Sequence, residues 1–244
     1  MKKGIVFLIT IILVFSLVII GISKTNNQSQ SEEKIKIIAT LFPQYDFAKQ
    51  IGGDKVDVSL LLTPGTETHT YEPTPQDIIN VNKADLYIYT GKYMEPWSDK
   101  IANSITSDTK VLDASKNINL INEEQFEEEH NTTDINEEEH DNSHHHEYDP
   151  HIWLNPQNAI GMVKNIEEEL CNIDPQNKEY YKQNAENYIK QLTNLDNEIE
   201  TTIKESKKNK IAFGGTFAYA YFIQRYNLQY VSAYDSCGEN SEPS

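Results

Sequence analysis

The sequence predicts an α/β protein with two lobes of parallel sheet and flanking helices, joined by one long helix, with the second lobe incomplete. Three observations predict this architecture. Strand and helix patterns alternate from residue 35 to residue 90, no Gly or Pro interrupts Gln176–Lys210, and strand patterns return from Ile211 onwards. Because strands that alternate with helices form parallel sheets, we expect the two alternating regions to be separate α/β lobes.

Three strands are expected in the first lobe. Ile35–Thr40 is rich in β-branched residues, Val56–Leu61 alternates in part between apolar and polar residues, and Leu86–Thr90 is mostly apolar and aromatic. β-Branched and aromatic side chains favour strands because they pack well on a pleated surface. Breaking residues follow the second and third runs, which fixes their ends.

Two helices are expected between these strands. Phe42–Ile51 has helical spacing, and the two glycines that follow it are typical of a helix end. A second helix is expected over Pro75–Ala84, with Thr74 as its cap and Asp77 in its first turn. Pro in the first helical position and Thr at the cap both favour helix initiation.

The second half predicts a long helix and the start of another lobe. Helical spacing covers residues 156–170, and a further helix is expected from 175 to 210, which at about 1.5 Å per residue is roughly 45 Å or more. Strands are expected at Ile211–Phe213 and Gln229–Tyr234, with a helix at Phe217–Tyr226 between them. One helix cannot cover both faces of a parallel sheet, so this lobe is expected to be incomplete.

The first residues predict a signal peptide or membrane anchor followed by a linker. Lys2 and Lys3 precede Ile5–Ile22, which is almost wholly apolar. That run is about long enough to cross a bilayer as a helix. The polar stretch after Ser23 has the composition of a flexible tether. We therefore expect the folded part to begin near Lys34 and to work outside the cytoplasmic membrane.

These patterns divide the chain into four regions. They are the leader and linker 1–33, an N-terminal lobe 34–174 with an acidic His-rich loop at 117–149, a linker helix 175–210 and a partial C-terminal lobe 211–244. The acidic segment has strong charge and no apolar periodicity, which predicts a mobile loop.

The charge balance argues against a nucleic-acid partner. The formal net charge is −17, and no Lys or Arg occurs between Lys116 and Lys164. A phosphate backbone would repel a chain of this charge. The negative charge is concentrated in the His-rich loop, which points instead to cations.

His69 is the first candidate metal ligand. It lies in the loop Pro64–Pro73, just past the second expected strand. Ligands often lie at the carboxyl ends of parallel strands. A single histidine in a loop is more often a surface residue, so His69 alone predicts little.

His151 is the second candidate ligand. It lies in the run DPHIWLNP, where two prolines fix the backbone and Trp153 provides an apolar anchor. A neutral imidazole held in this way suits Zn²⁺. Asp149 is positioned to orient the ring through its other nitrogen, as carboxylates beside metal-binding histidines often do. Taken alone, a capping loop with a hydrogen-bonded histidine explains this segment better.

Five of the seven histidines lie in the acidic loop. They are His130, His140, His144, His145 and His146. Imidazole and carboxylate groups suit zinc and neighbouring metals, and a flexible run of them attracts divalent cations and holds them weakly. The alternative is a solvated acidic loop whose histidines are incidental.

The sequence contains no enzyme motif that would use these histidines. HExxH, GxSxG and Walker-type runs are absent from all 244 residues. No general base or nucleophile is placed beside the two candidate ligands. An enzyme is therefore not predicted.

In combination, these motifs resemble a known family. PGTETHTYEPTPQDI, the His-rich acidic loop, DPHIWLNP and the helix beginning DPQNKEYY look like the metal-binding receptors of bacterial ABC importers of the ZnuA/TroA type. The resemblance runs from about Ile35 to the last residue. It implies two α/β lobes joined by a rigid helix, metal in the cleft between them, and His69 and His151 as ligands. It also implies delivery of the ion to an ABC-type membrane permease.

The second half departs from the pattern of that family. Thr216 stands where the family usually has a third ligand, His or Glu, and Thr is a poor zinc ligand. The fourth, acidic ligand of the family would lie beyond Ser244, which leaves Glu239, Cys237 or Glu242 as substitutes. Measured against the family, the chain is expected to be C-terminally truncated.

We therefore expect an extracytoplasmic monomer that captures Zn²⁺ for an ABC permease, with Mn²⁺ as the alternative ion. Imidazole ligands and the His-rich loop favour zinc, whereas a carboxylate-rich site would favour manganese. A surface adhesin with incidental metal binding is the second hypothesis, and a metalloenzyme is the third.

Overall fold

A four-stranded parallel sheet organises the first part of the chain in the computed structural model, which describes residues 33–130 and 147–234. Its strands are β1 (Ile35–Ala39), β2 (Val56–Leu60), β3 (Leu86–Tyr89) and β4 (Lys110–Asp113), in the order β2-β1-β3-β4. Each neighbouring pair is parallel, as predicted. β4 was not predicted, and it lies at the sheet edge with Val111 41% exposed, so it shows little apolar pattern.

Helices of this part follow the strands. They are α1 (Phe42–Gly52), α2 (Pro75–Val81), α3 (Ser98–Ala102) and α4 (Glu123–His130). α1 ends at the predicted glycines because Gly53 adopts φ 50°, a left-handed conformation that glycine tolerates.

The cap of α2 is confirmed, but its end is not. Thr74 and Asp77 form a reciprocal capping box, each side chain bonding the backbone of the other. The helix ends at Val81 rather than at Ala84. The amide of Ala84 bonds the carbonyl of Val81, so the chain tightens into a turn before β3.

The acidic segment is not wholly a loop, which corrects the prediction for residues 123–130. α4 forms there because Asn122 caps it, accepting the Gln125 N–H over 3.1 Å, and because Phe126 is buried at 4% exposure. The Phe126 ring stacks on Phe217 and Tyr230, with centroid distances of 6.1 and 5.8 Å. One cap and one aromatic anchor define a helix without apolar periodicity. Residues 131–146 lie outside the described residues.

Two long helices follow. α5 (Pro156–Ile173) begins as predicted, and α6 (Lys178–Ser206) extends over 29 residues after a short 3₁₀ turn at Pro175–Asn177. α6 ends before the predicted residue 210 because Lys207 adopts a left-handed conformation, φ 54°. Its first half bonds to α1, where Tyr188 donates its hydroxyl to Asp46 over 3.0 Å.

A second sheet follows α6. β5 (Lys210–Thr216) and β6 (Gln229–Tyr234) pair in parallel, with α7 (Ala220–Tyr226) between them. α7 begins three residues later than predicted. The residue that was expected to start it, Phe217, instead stacks on Tyr230 at a centroid distance of 3.9 Å.

One apolar core connects both sheets. A single cluster of buried side chains includes Ile37 of β1 and Leu86 of β3 from the first sheet. The same cluster includes Ile166 of α5, Tyr221 of α7 and Tyr230 of β6 in the second sheet. Within residues 33–130 and 147–234, no helix is both long enough and apolar enough to cross a membrane. The apolar run expected to be a signal or anchor lies outside the described residues.

Candidate metal centre

The loop that carries His69 is ordered around a carboxylate. Glu67 accepts the backbone N–H of His69 over 3.0 Å and the N–H and hydroxyl of Thr70, each over 2.6 Å. Burial alone would raise the pKa of Glu67, but these hydrogen bonds and the proximity of His69 outweigh it and lower that pKa. Glu67 therefore acts as an acceptor that folds the loop around the histidine.

A second contact joins the same loop to Trp97, which lies outside the loop. The indole N–H of Trp97 donates to the carbonyl of Thr68 over 2.7 Å. The Trp97 ring also lies edge-on against Tyr71, with centroids 5.0 Å apart. Tyr71 in turn donates its hydroxyl to Asp77 of the α2 cap over 2.7 Å. His69 is thus held between a tight turn and a capped helix.

The segment that carries His151 is held by Asp149, as the sequence predicted. The Asp149 carboxylate Oδ1 accepts the backbone N–H of His151 over 2.7 Å and lies 3.1 Å from its ring Nδ1. The His151 side chain is 12% exposed and the Asp149 side chain is 7% exposed. With Nδ1–H donating to the carboxylate, Nε2 keeps a lone pair for a metal ion.

The two histidine rings lie next to each other. Their centroids are 6.2 Å apart and their planes meet at 73°. Trp153 also lies edge-on against His151, with a centroid distance of 5.6 Å. The fold therefore brings together two imidazoles that are 82 residues apart (151 − 69) in the chain.

Most of the other predicted ligands fall outside the described residues. His130 ends α4. His140, His144, His145, His146 and Glu239 lie outside the described residues, while Thr216 is the last residue of β5. Within the described ranges, no group of three or more His, Cys, Asp or Glu side chains is arranged to hold a metal ion.

Two buried polar groups were not singled out from the sequence. Tyr221 of α7, 2% exposed, donates to the carbonyl of Asp149 over 2.8 Å. Glu95 is fully buried at the carboxyl ends of β1 and β3, bonded to Thr40 and Thr90. A tyrosine or glutamate in a mixed sequence gives no signal of such a role, because each partner is distant in the chain or lies in a loop.

Comparisons with known proteins place the chain in a family. Residues 37–244 match the family model described as ZnuA, zinc-uptake complex component A, periplasmic. The high-affinity zinc uptake system protein ZnuA of Bacillus subtilis (strain 168) is 40% identical over 213 residues, covering 86% of this chain and 65% of that protein. The chain thus spans just under two thirds of the length of this relative.

Solved structures share the fold. The metal-dependent lipoprotein YcdH from Bacillus subtilis superposes with a TM-score of 0.69 at 36% identity, over 82% of this chain and 66% of that one. The Zn(II)-bound ZnuA-like domain of Streptococcus pneumoniae AdcA gives a TM-score of 0.68 at 28% identity, over 82% of this chain and 67% of that one.

Proposed function

The chain belongs to the ZnuA family of zinc-uptake components, and on that premise we propose that it captures Zn²⁺ outside the cytoplasmic membrane through His69 and His151. The ion is the cargo of this protein rather than a resident cofactor. The observation that carries the proposal is the pair of neighbouring imidazoles, one of which is oriented by a buried carboxylate.

The spacing of the rings supports binding of a single ion. With a Zn–N bond of about 2.0–2.1 Å, a ring centre lies ~3.2 Å from the metal, so two centres on one ion are at most ~6.4 Å apart. The centroids of His69 and His151 are 6.2 Å apart. A tetrahedral N–Zn–N angle would place the two centres ~5.2 Å apart, so the rings have to approach by about 1 Å to share one tetrahedral zinc ion.

Zinc is favoured over manganese by the chemistry of these two groups. Imidazole nitrogen suits zinc, whereas manganese prefers carboxylate, carbonyl and water oxygens. In the turn of His69 the Glu67 carboxylate is already engaged by three donors. The Zn(II)-bound AdcA domain, which shares this fold, is a further argument for zinc.

Transport is the proposed purpose of the capture. The family is described as a component of a zinc-uptake complex, so we propose transfer of the ion to an ABC-type permease in the membrane. The relatives reported above are zinc-uptake or metal-dependent proteins, which favours capture for transport over surface adhesion and over catalysis.

Isothermal titration of the full chain with Zn²⁺ tests the site. We expect a tight binding event that is lost in a His69→Ala/His151→Ala double variant and retained in a His140→Ala control. Titration with Mn²⁺ under the same conditions should give weaker binding. Tight zinc binding that survives in the double variant would refute the site.

A further inference from the structure

The backbone segment that leads into the second histidine pairs with an earlier part of the chain. Asp149 donates its N–H to the carbonyl of Ile121 over 2.9 Å, and Asn122 forms an antiparallel bridge with Tyr148. The side chain of Asn122 also donates to the carbonyl of Glu147 over 3.1 Å. The two segments therefore lie side by side immediately before the candidate ligand.

One bond of this pairing runs through the hydroxyl of Tyr221. In a hydrogen-bonded antiparallel pair, two opposite residues exchange both of their N–H···O bonds. The Asp149 N–H bond to Ile121 is direct, whereas the return bond is relayed. The Ile121 N–H donates to the Tyr221 hydroxyl over 3.2 Å, and that hydroxyl donates to the Asp149 carbonyl over 2.8 Å.

Tyr221 comes from a distant part of the chain and is fixed there. It lies in α7, the helix that connects β5 to β6 along the chain, and is 2% exposed. Its side chain belongs to the apolar core that connects both sheets. Because this ring is packed in the core, its hydroxyl has little room to move and restrains the carbonyl that it bonds.

Asp149 transmits that position to the imidazole. Its carbonyl is bonded by Tyr221, and its carboxylate bonds both the N–H and the ring Nδ1 of His151. The direction of the Nε2 lone pair therefore depends on where Asp149 is held.

We propose that Tyr221 is a positioning residue for metal binding, which holds Asp149 and through it aims the His151 imidazole at the ion. The inference rests on the proposed function, since the aim of His151 affects affinity only if His151 binds the metal. Groups that orient metal-binding histidines change metal affinity about 10–100-fold when removed. Tyr221 acts through one intermediate residue, so the lower end of that range, a fall of about 10-fold, is expected.

Tyr221→Phe in the full chain is the direct test, because it keeps the ring and removes only the hydroxyl. Zn²⁺ affinity should fall about 10-fold, and the visible absorption spectrum of the Co²⁺-loaded protein should change because the ligand geometry changes. Tyr181→Phe is the matched control. Tyr181 is fully buried and donates its hydroxyl to Asp174 over 2.7 Å, at the far end of α5.

The control separates positioning from general stability. Tyr221→Phe loses two buried hydrogen bonds and Tyr181→Phe loses one, so both variants should unfold at lower urea concentration. Only Tyr221→Phe should change zinc affinity and the Co²⁺ spectrum. If it matches the unaltered protein in both readouts while His151→Ala loses zinc, the positioning role is wrong and the proposed function stands.

Two further variants complete the test. If His151→Ala binds zinc as tightly as the unaltered protein, the proposed function fails, and the role of Tyr221 fails with it. Asp149→Asn keeps the carbonyl that Tyr221 bonds and alters only the side chain that bonds the backbone N–H and the ring of His151. It should weaken zinc binding to a similar degree, and unchanged affinity in this variant would overturn the inference even if Tyr221→Phe did not fold.

Discussion

The carboxylate of Asp196 in α6 accepts two hydrogen bonds from the Arg225 guanidinium of α7. Nη2 donates over 2.8 Å and Nε over 3.1 Å. Gln157 in the first turn of α5 donates to the same carboxylate over 2.6 Å, and Tyr226 donates over 2.9 Å. The Asp196 side chain is 3% exposed, against 28% for Arg225. One acidic group thus ties three helices together.

Replacement of Asp196 by alanine should destabilise the protein by about 3 kcal/mol, because it leaves a partly buried guanidinium and two further donors without their acceptor. Urea unfolding followed by circular dichroism measures this loss. Glu200→Ala is the control in the same helix, since Glu200 pairs with Lys204 at an exposed site and should change nothing measurable. A loss below about 1 kcal/mol for Asp196→Ala, the value of one ordinary hydrogen bond, would contradict the role.

The same carboxylate predicts acid sensitivity. Burial would raise the pKa of Asp196, but the bonds from Arg225, Gln157 and Tyr226 outweigh it and hold that pKa below its ordinary value of 3.8. The stabilisation is therefore present above the ordinary value and is lost as pH falls through the lower, folded value. Stability measured from pH 6 downwards should decline less steeply in Asp196→Asn than in the unaltered protein.

Glu95 predicts a decline in stability as pH rises. Burial raises the pKa of Glu95 to about 8, against the bonds from Thr40 and Thr90 that favour the ionised form, and nearby Asp113 adds to the rise. The folded state therefore binds a proton that the unfolded state has released, and stability should fall as pH rises from the ordinary value of 4.5 towards about 8.

Glu95→Gln should remove that decline, since the amide keeps one acceptor for Thr90 and gains one donor for Thr40. Thermal unfolding midpoints between pH 5 and pH 9 provide the measurement. Glu179→Gln, at a side chain that is 89% exposed, should leave the profile unchanged. An identical pH profile in Glu95→Gln and the unaltered protein would show that Glu95 is not the group responsible.

The cap of α2 predicts a local effect on stability. Thr74→Ala removes the side chain that accepts the Asp77 N–H, and it should cost about 1 kcal/mol. Thr201→Ala makes the same substitution at an exposed position inside α6 and should be neutral or slightly stabilising. Equal losses in the two variants would mean that the cap contributes nothing beyond intrinsic propensity.

The acidic segment predicts a second class of zinc binding. A His144→Ala/His145→Ala/His146→Ala variant should lose weak zinc binding at high ion concentration and keep the tight site. Equilibrium dialysis over a wide range of Zn²⁺ concentration separates the two classes. A full complement of weak sites in the variant would assign them to the carboxylates instead.

Much of the fold was predictable from local patterns. The helix at Phe42, the cap at Thr74 and the strand Gln229–Tyr234 depend on neighbouring residues, and the structure confirms them. β4 and α4 were not predictable in this way. Each is defined by a single well-buried apolar side chain, Leu112 or Phe126, and by partners far along the chain.

The candidate site, like the fold, was predictable only in part. The contact between Asp149 and the His151 ring follows from two residues of separation, and the structure shows that contact. The bond from Tyr221 to Asp149 spans 72 residues, and no spacing rule connects them. The adjacency of the two histidines was expected only through the family resemblance, because the loop of His69 reaches the second motif through tertiary packing alone.

The continuous core beneath the two sheets has a thermodynamic consequence. Because Ile166 of α5 and Tyr221 of α7 belong to one buried cluster, and α6 bonds to α1 at one end and to α7 further along, neither sheet can lose its packing without exposing the other. Calorimetry should show one cooperative transition, with equal van't Hoff and calorimetric enthalpies, for the part of the chain described here. Amide hydrogens in β3 and β6 should then exchange through the same global opening.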